Sequence, residues 1–368
     1  MDKTKATVKD WFLLTRPWSA AAPLVPFLVG LGRAFGSRQI EPWGLVRWAL
    51  GLTSGILLVY ACNLFNTWGD ERSGVDRMPG VFLTTPQIQQ GKITLRQTFV
   101  FGSILFVFAG LVGLPTLFYS VSTPDAGGVR FVCDWLGLPE TMRFNVPLFV
   151  GASIGFLGAV NYSTGIKYKY YGLGVPFVAF LEGSLYVFVV LALLAPRFLT
   201  HWFTILFGRH GLVGDVLPDV VLLVAASLPV ASLVGVILHG NDMRDIATDR
   251  RAGIITLAGV LKPKGALVLF FALHLLPYVL LTGLFGCLLG WAACWEGWRV
   301  RDLWAVVGGL LPFLALPKTI GLLKSALHDY RANPAAPAWL DLEQDSGGVH
   351  CVFGLLYALG WAICRFAQ

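Results

Sequence analysis

Nine apolar stretches of 12–23 residues alternate with polar segments along the chain: Ala20–Leu31, Leu50–Phe65, Phe99–Phe118, Phe149–Val160, Val175–Ala195, Val220–Leu238, Leu267–Leu289, Leu303–Leu316 and Val352–Ala367. Each is nearly free of charge. About 20 apolar residues cross a bilayer as a helix, and several of these stretches reach that length with their flanks. The pattern predicts an all-α, polytopic membrane protein of about nine transmembrane helices. Ahead of them, Trp11, Phe12, Leu13 and Leu14 lie between Lys9 and Arg16-Pro17, so residues 7–16 read as a short interfacial helix. The opening nine residues lack an apolar core followed by a small-residue cleavage site and do not read as a removable signal peptide. A loop at 119–145 is expected to be irregular or short helical structure. A long inner loop is expected at 323–348, and its proline-rich part, 331–348, is expected to be poorly ordered.

Composition agrees with the pattern. The 368 residues are 56% hydrophobic and 13% charged, with a mean hydropathy of +0.68; a soluble domain carries about 25% charge. Placing the N-terminus inside puts every lysine on the inner side and leaves only arginines outside, as the positive-inside bias requires. The net charge of +7 is then a topology signal, and no basic stripe with interleaved aromatics points to nucleic acid. The six cysteines are scattered without a CxxC pair, which argues against structural zinc or a disulfide framework.

Two acidic segments break the apolar pattern, and this topology places both at the cytoplasmic face. The first, 63–93, opens with Asn63, Asn66, Asp70, Arg72 and Asp76. The second, 239–262, carries His239, Asn241, Asp242, Arg244, Asp245 and Asp249. Carboxylates at membrane depth usually mark a functional path or site. Asn66 and Asp70 are four apart, and Asp242, Asp245 and Asp249 follow i, i+3, i+7, so each set shares one face of a continuous helix. Mg²⁺ takes one or two carboxylates and completes its shell with water and phosphate oxygens; two such stripes can hold a diphosphate between them. A solvated helix end with Asp paired to neighbouring Arg is the plainer reading of either motif alone. A third segment, 161–174, sets Lys167 and Lys169 among Tyr162, Tyr168, Tyr170 and Tyr171. It suits an anionic ligand end beside an aromatic pocket, although lysines here also serve as topology anchors. The expected architecture is one domain over 1–368, bundled around a central cavity with a polar cap at the cytoplasmic face.

The two motifs, the run Tyr-Ser-Thr-Gly-Ile-Lys-Tyr-Lys at 162–169 and the run Arg244-Asp-Ile-Ala-Thr-Asp-Arg-Arg-Ala-Gly-Ile-Ile-Thr256 resemble the UbiA superfamily of intramembrane aromatic prenyltransferases. The nearest branch is that of the 1,4-dihydroxy-2-naphthoate prenyltransferases of menaquinone biosynthesis and their animal relatives; Trp11–Pro17 is similar to that branch's approach to its first helix. The resemblance implies a Mg²⁺-dependent enzyme of a cell inner membrane, with its active site facing the cytoplasm. Asn66, Asp70, Asp76, Asp245 and Asp249 then match metal-binding positions, and Asp70, Asp245, Lys169 and Tyr162 are the candidate catalytic residues. Asn63, Arg72, Lys167, Lys169, Arg244, Asn241 and Arg16 are the candidate substrate-binding residues. The partners implied are a polyprenyl diphosphate, an aromatic acceptor and membrane lipid. Departures occur at Thr67, where many bacterial relatives have Asp, at Asp242, which replaces a usual Asn, and at Val175, where an acidic residue is common. The last two bear on the acceptor, and 4-hydroxybenzoate, a tetrapyrrole or glycerol phosphate are alternatives to dihydroxynaphthoate. A cation-coupled transporter is a further alternative, although the acids gather at one face and not at the midplane. Tyr162 and Trp68 are candidates to face an allylic cation. His239 is expected to meet backbone or water at a helix end, with orienting a carboxylate as the alternative, and His274 to pack or bond within the bundle, with His201 and His210 on the outer side.

Overall fold

A computed structural model describes residues 6–77, 86–122, 128–197, 199, 213–291 and 302–367. Helix α1 (Val8–Leu14) begins with a capping box in which Thr7 and Asp10 satisfy each other's backbone N–H groups, and Lys92 ties Asp10 down at 2.9 Å. Left-handed Arg16 then turns the chain into a 3-10 turn and α2 (Ala21–Gly36). Helix α3 (Gly44–Ser73) has 30 residues and is about 45 Å long at 1.5 Å per residue. It therefore outruns the hydrocarbon core and carries Asn66 and Asp70 to the membrane edge. Helix α4 (Leu95–Gly113) pairs with it and turns Ile104, Val107, Phe108 and Leu111 outward, a lipid-facing stripe at helical spacing.

On the far side, the expected irregular segment contains two short strands, β1 (Phe118–Ser120) and β2 (Met142–Phe144). They pair antiparallel with Tyr119 opposite Arg143, around the short helix α5 (Phe131–Trp135). The chain returns through α6 (Val146–Asn161) and then through α7 (Gly174–Val178), a π-helical turn at Ala179–Ser184, and α8 (Leu185–Leu194). The second half consists of α9 (Val213–Arg244), α10 (Ile246–Ala252), α11 (Leu257–Trp291), α12 (Asp302–Leu310), α13 (Leu316–Ala332) and α14 (Leu342–Ile363). Seven segments among the described residues are long and apolar enough to span a membrane. Two further long helices are α6, apolar but of 16 residues, and α9, of 32. The protein is an all-α polytopic membrane protein apart from the small β1–β2 hairpin.

The first and last of the seven spans lie against each other at unusually close range. A Cβ on Gly32 or Gly36 of α2 would come within 2.2 Å of the Ala358 or Trp361 carbonyl oxygen of α14. Only glycine permits this approach, the device of small-xxx-small helix pairs in membranes.

Helix α13 runs to Ala332, well into the loop expected at 323–348. Its Leu322, Leu323 and Ala326 are buried while Lys324 and Arg331 are exposed, a helical period that continues past the apolar stretch. The proline-rich segment expected to be poorly ordered is pinned instead. Trp339 is 1% exposed, stacks on Tyr330 and donates Nε1–H to the Ala326 carbonyl at 3.0 Å. Trp339→Ala should lower stability by about 3–5 kcal/mol, the usual result of emptying a buried aromatic site, read as a lowered thermal midpoint.

Candidate active site

The last turns of α3 present Asn66 and Asp70 on one face, and both are buried. Gly74 ends the helix in the left-handed region (φ 82), and the next 3-10 turn, Val75–Arg77, brings Asp76 back near Asp70. Gly69 allows the 161–170 segment to pass close by, since a Cβ there would meet the Ser163 carbonyl oxygen at 3.2 Å. Lys167, at φ 57, starts a tight 3-10 turn over Tyr168–Tyr170 that directs Lys169 inward. Its Nζ donates to Asn66 Oδ1 and to Asp70 Oδ2, each at 2.9 Å. Ser163 donates to the same Asn66 oxygen at 2.5 Å, and the Tyr170 hydroxyl donates to the other Asp70 oxygen. Ile255 N–H donates to the Tyr170 carbonyl at 3.2 Å, which stitches this segment to the loop after the second motif.

The second motif is not one continuous helix. Helix α9 stops at Arg244, Asp245 (φ −96, ψ 6) forms the joint, and α10 starts at Ile246. The guanidinium of Arg244 bonds Asp245 at 3.0 and 2.7 Å, Asn241 at 2.5 Å and Glu343 of α14 at 3.0 Å. Asp242 is buried.

Residues of both motifs, though none of their aspartates, line one cavity of about 740 Å³. Arg16, Asn63, Asn66, Tyr162, Lys169, Asn241 and Arg244 line it, and its apolar wall includes Leu58, Val59, Val178, Leu181 and Val234. Arg16 also donates to Thr67 at 3.3 Å. Asn63 is held by the Thr15 carbonyl and Ser19 hydroxyl at 2.9 and 2.8 Å. Asp70, Asp76, Asp245 and Asp249 are not among its lining residues, and two further sequence candidates lie elsewhere. Arg72 is exposed, its guanidinium over the Trp68 ring at 5.1 Å, and Lys167 is exposed on its left-handed turn. Neither lines the cavity, nor does Trp68, which packs on Phe99. His239 and His274 are buried and bonded to the Ala266 and Phe270 carbonyls; His201 and His210 fall outside the described residues. Ser163, Tyr170 and Glu343 join the site although the sequence reading gave them no role. Glu343 had a signal, because Asp341, Glu343 and Asp345 gather at the start of α14.

The acids crowd one another. Burial, and then the charge of Asp245, push the Asp249 carboxyl up to about 7; burial and the charge of Asp70 push Asp76 up to about 6. For Lys169 burial works against the ammonium, but the charge and hydrogen bond of Asp70 outweigh it and hold the group above its ordinary value. Among the described residues no cluster of three or more metal-ligating side chains is preassembled. The donor set nevertheless fits a hard divalent cation: the facing groups are oxygen ligands, and their mutual repulsion is what such a cation relieves. A carboxyl with a raised folded pKa favours folding below its unfolded value of 3.8, and that contribution is lost as pH rises through about 7. Metal-free protein should therefore lose thermal stability across that window, and Mg²⁺ should restore more at pH 8 than at pH 5. An equal shift at both pH values would argue against carboxylate binding.

The architecture and site define a class, a helical membrane bundle with two acidic motifs over one intramembrane cavity. Among solved structures, a UbiA homolog from Archaeoglobus fulgidus bound to GPP and Mg²⁺ superposes with a TM-score of 0.54 at 14% identity, covering 96% of this chain and 99% of that one. The same homolog bound to DMAPP and Mg²⁺ gives 0.55. By sequence, the chain is 26% identical over 354 residues to UbiA prenyltransferase domain-containing protein 1 of Mus musculus, covering 95% of this chain and 83% of the relative. It is 27% identical over 273 residues to the Drosophila melanogaster homolog, covering 74% of this chain and 64% of that protein. No protein-family model matches the chain. In sequence the chain is thus similar to UbiA prenyltransferase domain-containing proteins, and in fold to UbiA homologs.

Proposed function

We propose that the protein transfers a polyprenyl group from an allylic polyprenyl diphosphate to an aromatic acceptor, in the first place 1,4-dihydroxy-2-naphthoate in menaquinone biosynthesis. The site would face the cytoplasm from an inner membrane, in keeping with the inward bias of lysines. The observation that carries the reading is that Lys169, bonded to Asn66 and Asp70, lines one largely apolar cavity together with Asn66 and Arg244. Fold neighbours that bind GPP or DMAPP with Mg²⁺ support the donor class.

Asn66, Asp70, Asp76, Asp245 and Asp249 would hold Mg²⁺, which when bound supplies positive charge to the diphosphate oxygens. Lys169 and Arg244 bind the same diphosphate and offset the charge that builds as it leaves. Arg16 and Asn63 line the same polar end. The prenyl tail lies along Leu58, Val59 and Val234, where water is excluded. The Tyr162 ring, 5.9 Å from Lys169 Nζ, presents its face to the developing carbocation. A second, largely apolar cavity of about 300 Å³ shares Leu58, Gly155 and Tyr186 with the first and offers further room for the tail.

Purified protein should be incubated with geranylgeranyl diphosphate, Mg²⁺ and a panel of aromatic acceptors, with product detected by mass. Product with 1,4-dihydroxy-2-naphthoate alone is the expected result. Product only with 4-hydroxybenzoate or a tetrapyrrole would replace the acceptor, and absence of any product would overturn the reading.

A further inference from the structure

Glu182 has no part in the chemistry above, yet its position is built. It is the one charged residue of the span Gly174–Leu194 and sits on the π-helical turn Ala179–Ser184. Such wide turns inside helices recur at functional sites. Next to it, Gly183 lets the turn press on α9, for a Cβ there would lie 2.3 Å from the Ala231 Cα. Glu182 lines the main cavity, and no hydrogen bond or ion pair to it occurs among the described residues. Its electrostatic neighbours are Cys62, Tyr168 and Tyr186. Cys62 lies one helical turn, about 6 Å, deeper along α3 than Asn66, and Glu182 is among its electrostatic neighbours. A carboxyl at this depth without a partner is unfavourable in the free protein. It also repels a diphosphate, so the group that meets it must donate a hydrogen bond.

We propose that Glu182 receives the acceptor: its carboxylate accepts a hydrogen bond from a ring hydroxyl and takes that proton as the ring attacks. The proposal rests on the prenyl-transfer reading. The donor's C1–O bond breaks, its electron pair leaving with the diphosphate, and a ring carbon forms the new C–C bond to C1. The hydroxyl proton passes to Glu182, leaving a ketone. Loss of the substituent on the attacked carbon, as a proton or as carbon dioxide, restores the aromatic ring, and Glu182 returns its proton to the oxygen. The net products are the prenylated ring, diphosphate and either a proton or carbon dioxide.

The test uses the full chain in detergent with geranylgeranyl diphosphate, Mg²⁺ and 1,4-dihydroxy-2-naphthoate as probes. Glu182→Gln should still be thermally stabilised by the donor, but kcat for prenylated product should fall about 10²-fold or more, the scale of a lost proton acceptor. Glu182→Asp should recover part of that loss without a change in donor KM. Should the Gln variant fail to fold, the Asp variant carries the test through a lowered kcat at constant donor KM. Wild-type kcat in whichever of these variants carries the test overturns the assignment of Glu182 and leaves prenyl transfer standing. A wild-type chain that prenylates no acceptor overturns the parent reading, and this proposal with it.

Discussion

Asp70→Asn should slow Mg²⁺-dependent release of diphosphate from geranylgeranyl diphosphate by about 10²-fold or more, with the helix bundle intact. Asp70 is where the site converges: one carboxylate oxygen meets Lys169 and the other meets the Tyr170 hydroxyl. The amide keeps the size and one acceptor oxygen but removes the charge that faces a cation. Removing a single preorganised electrostatic contact typically costs 10²–10³ in rate, and here the same change weakens metal binding as well. Circular dichroism and the thermal midpoint report folding, and diphosphate release reports function. Undiminished release from a folded variant would remove Asp70 from the metal-binding set.

Lys169→Met should raise the donor KM by about 10–100-fold and leave the acceptor KM within a factor of two or so. A hydrogen bond to a charged group contributes about 1.5–3 kcal/mol, which is that range in binding. Methionine fills a similar volume without the ammonium, so the pocket keeps its shape. Asp70 then loses its ion-pair partner, and some loss of stability is expected because the pair is mostly buried, with side chains 16% and 10% exposed. An unchanged donor KM would mean that the ammonium serves only to neutralise Asp70 in the free protein.

Much of this site was legible before the fold was known. The i, i+4 spacing of Asn66 and Asp70 survives as one helix face, and Lys169 reaches it from about a hundred positions away. What the local pattern could not carry was direction. Lys167 and Lys169 look equivalent in sequence, but a left-handed residue and a tight turn send one to solvent and the other inward. Arg72 follows Asp70 by two positions, which on a helix is the wrong face. The helical stripe drawn through Asp242, Asp245 and Asp249 broke at Asp245, where Arg244 reaches back to the carboxylate and to Asn241. Glu343 and Trp339 were passed over because a polar, proline-bearing stretch reads as loop when its contacts lie in another segment. For the helices themselves, apolar length was a sound guide. Their ends were less so, since α13 continues on an amphipathic period after its apolar run stops.

The glycine contact between α2 and α14 has a consequence for how the protein is made. These are the first and last of the seven spans among the described residues, so this seam joins α2 to the span translated last of the seven. Until α14 leaves the ribosome, Gly32 and Gly36 lack their α14 contact and Arg244 lacks its Glu343 partner. The acidic motifs are therefore inserted before the helix that completes the lining of the cavity. The cavity wall that includes Glu343, Gln344 and Cys351 is complete only once α14 is inserted, so filling of the cavity reads out correct assembly.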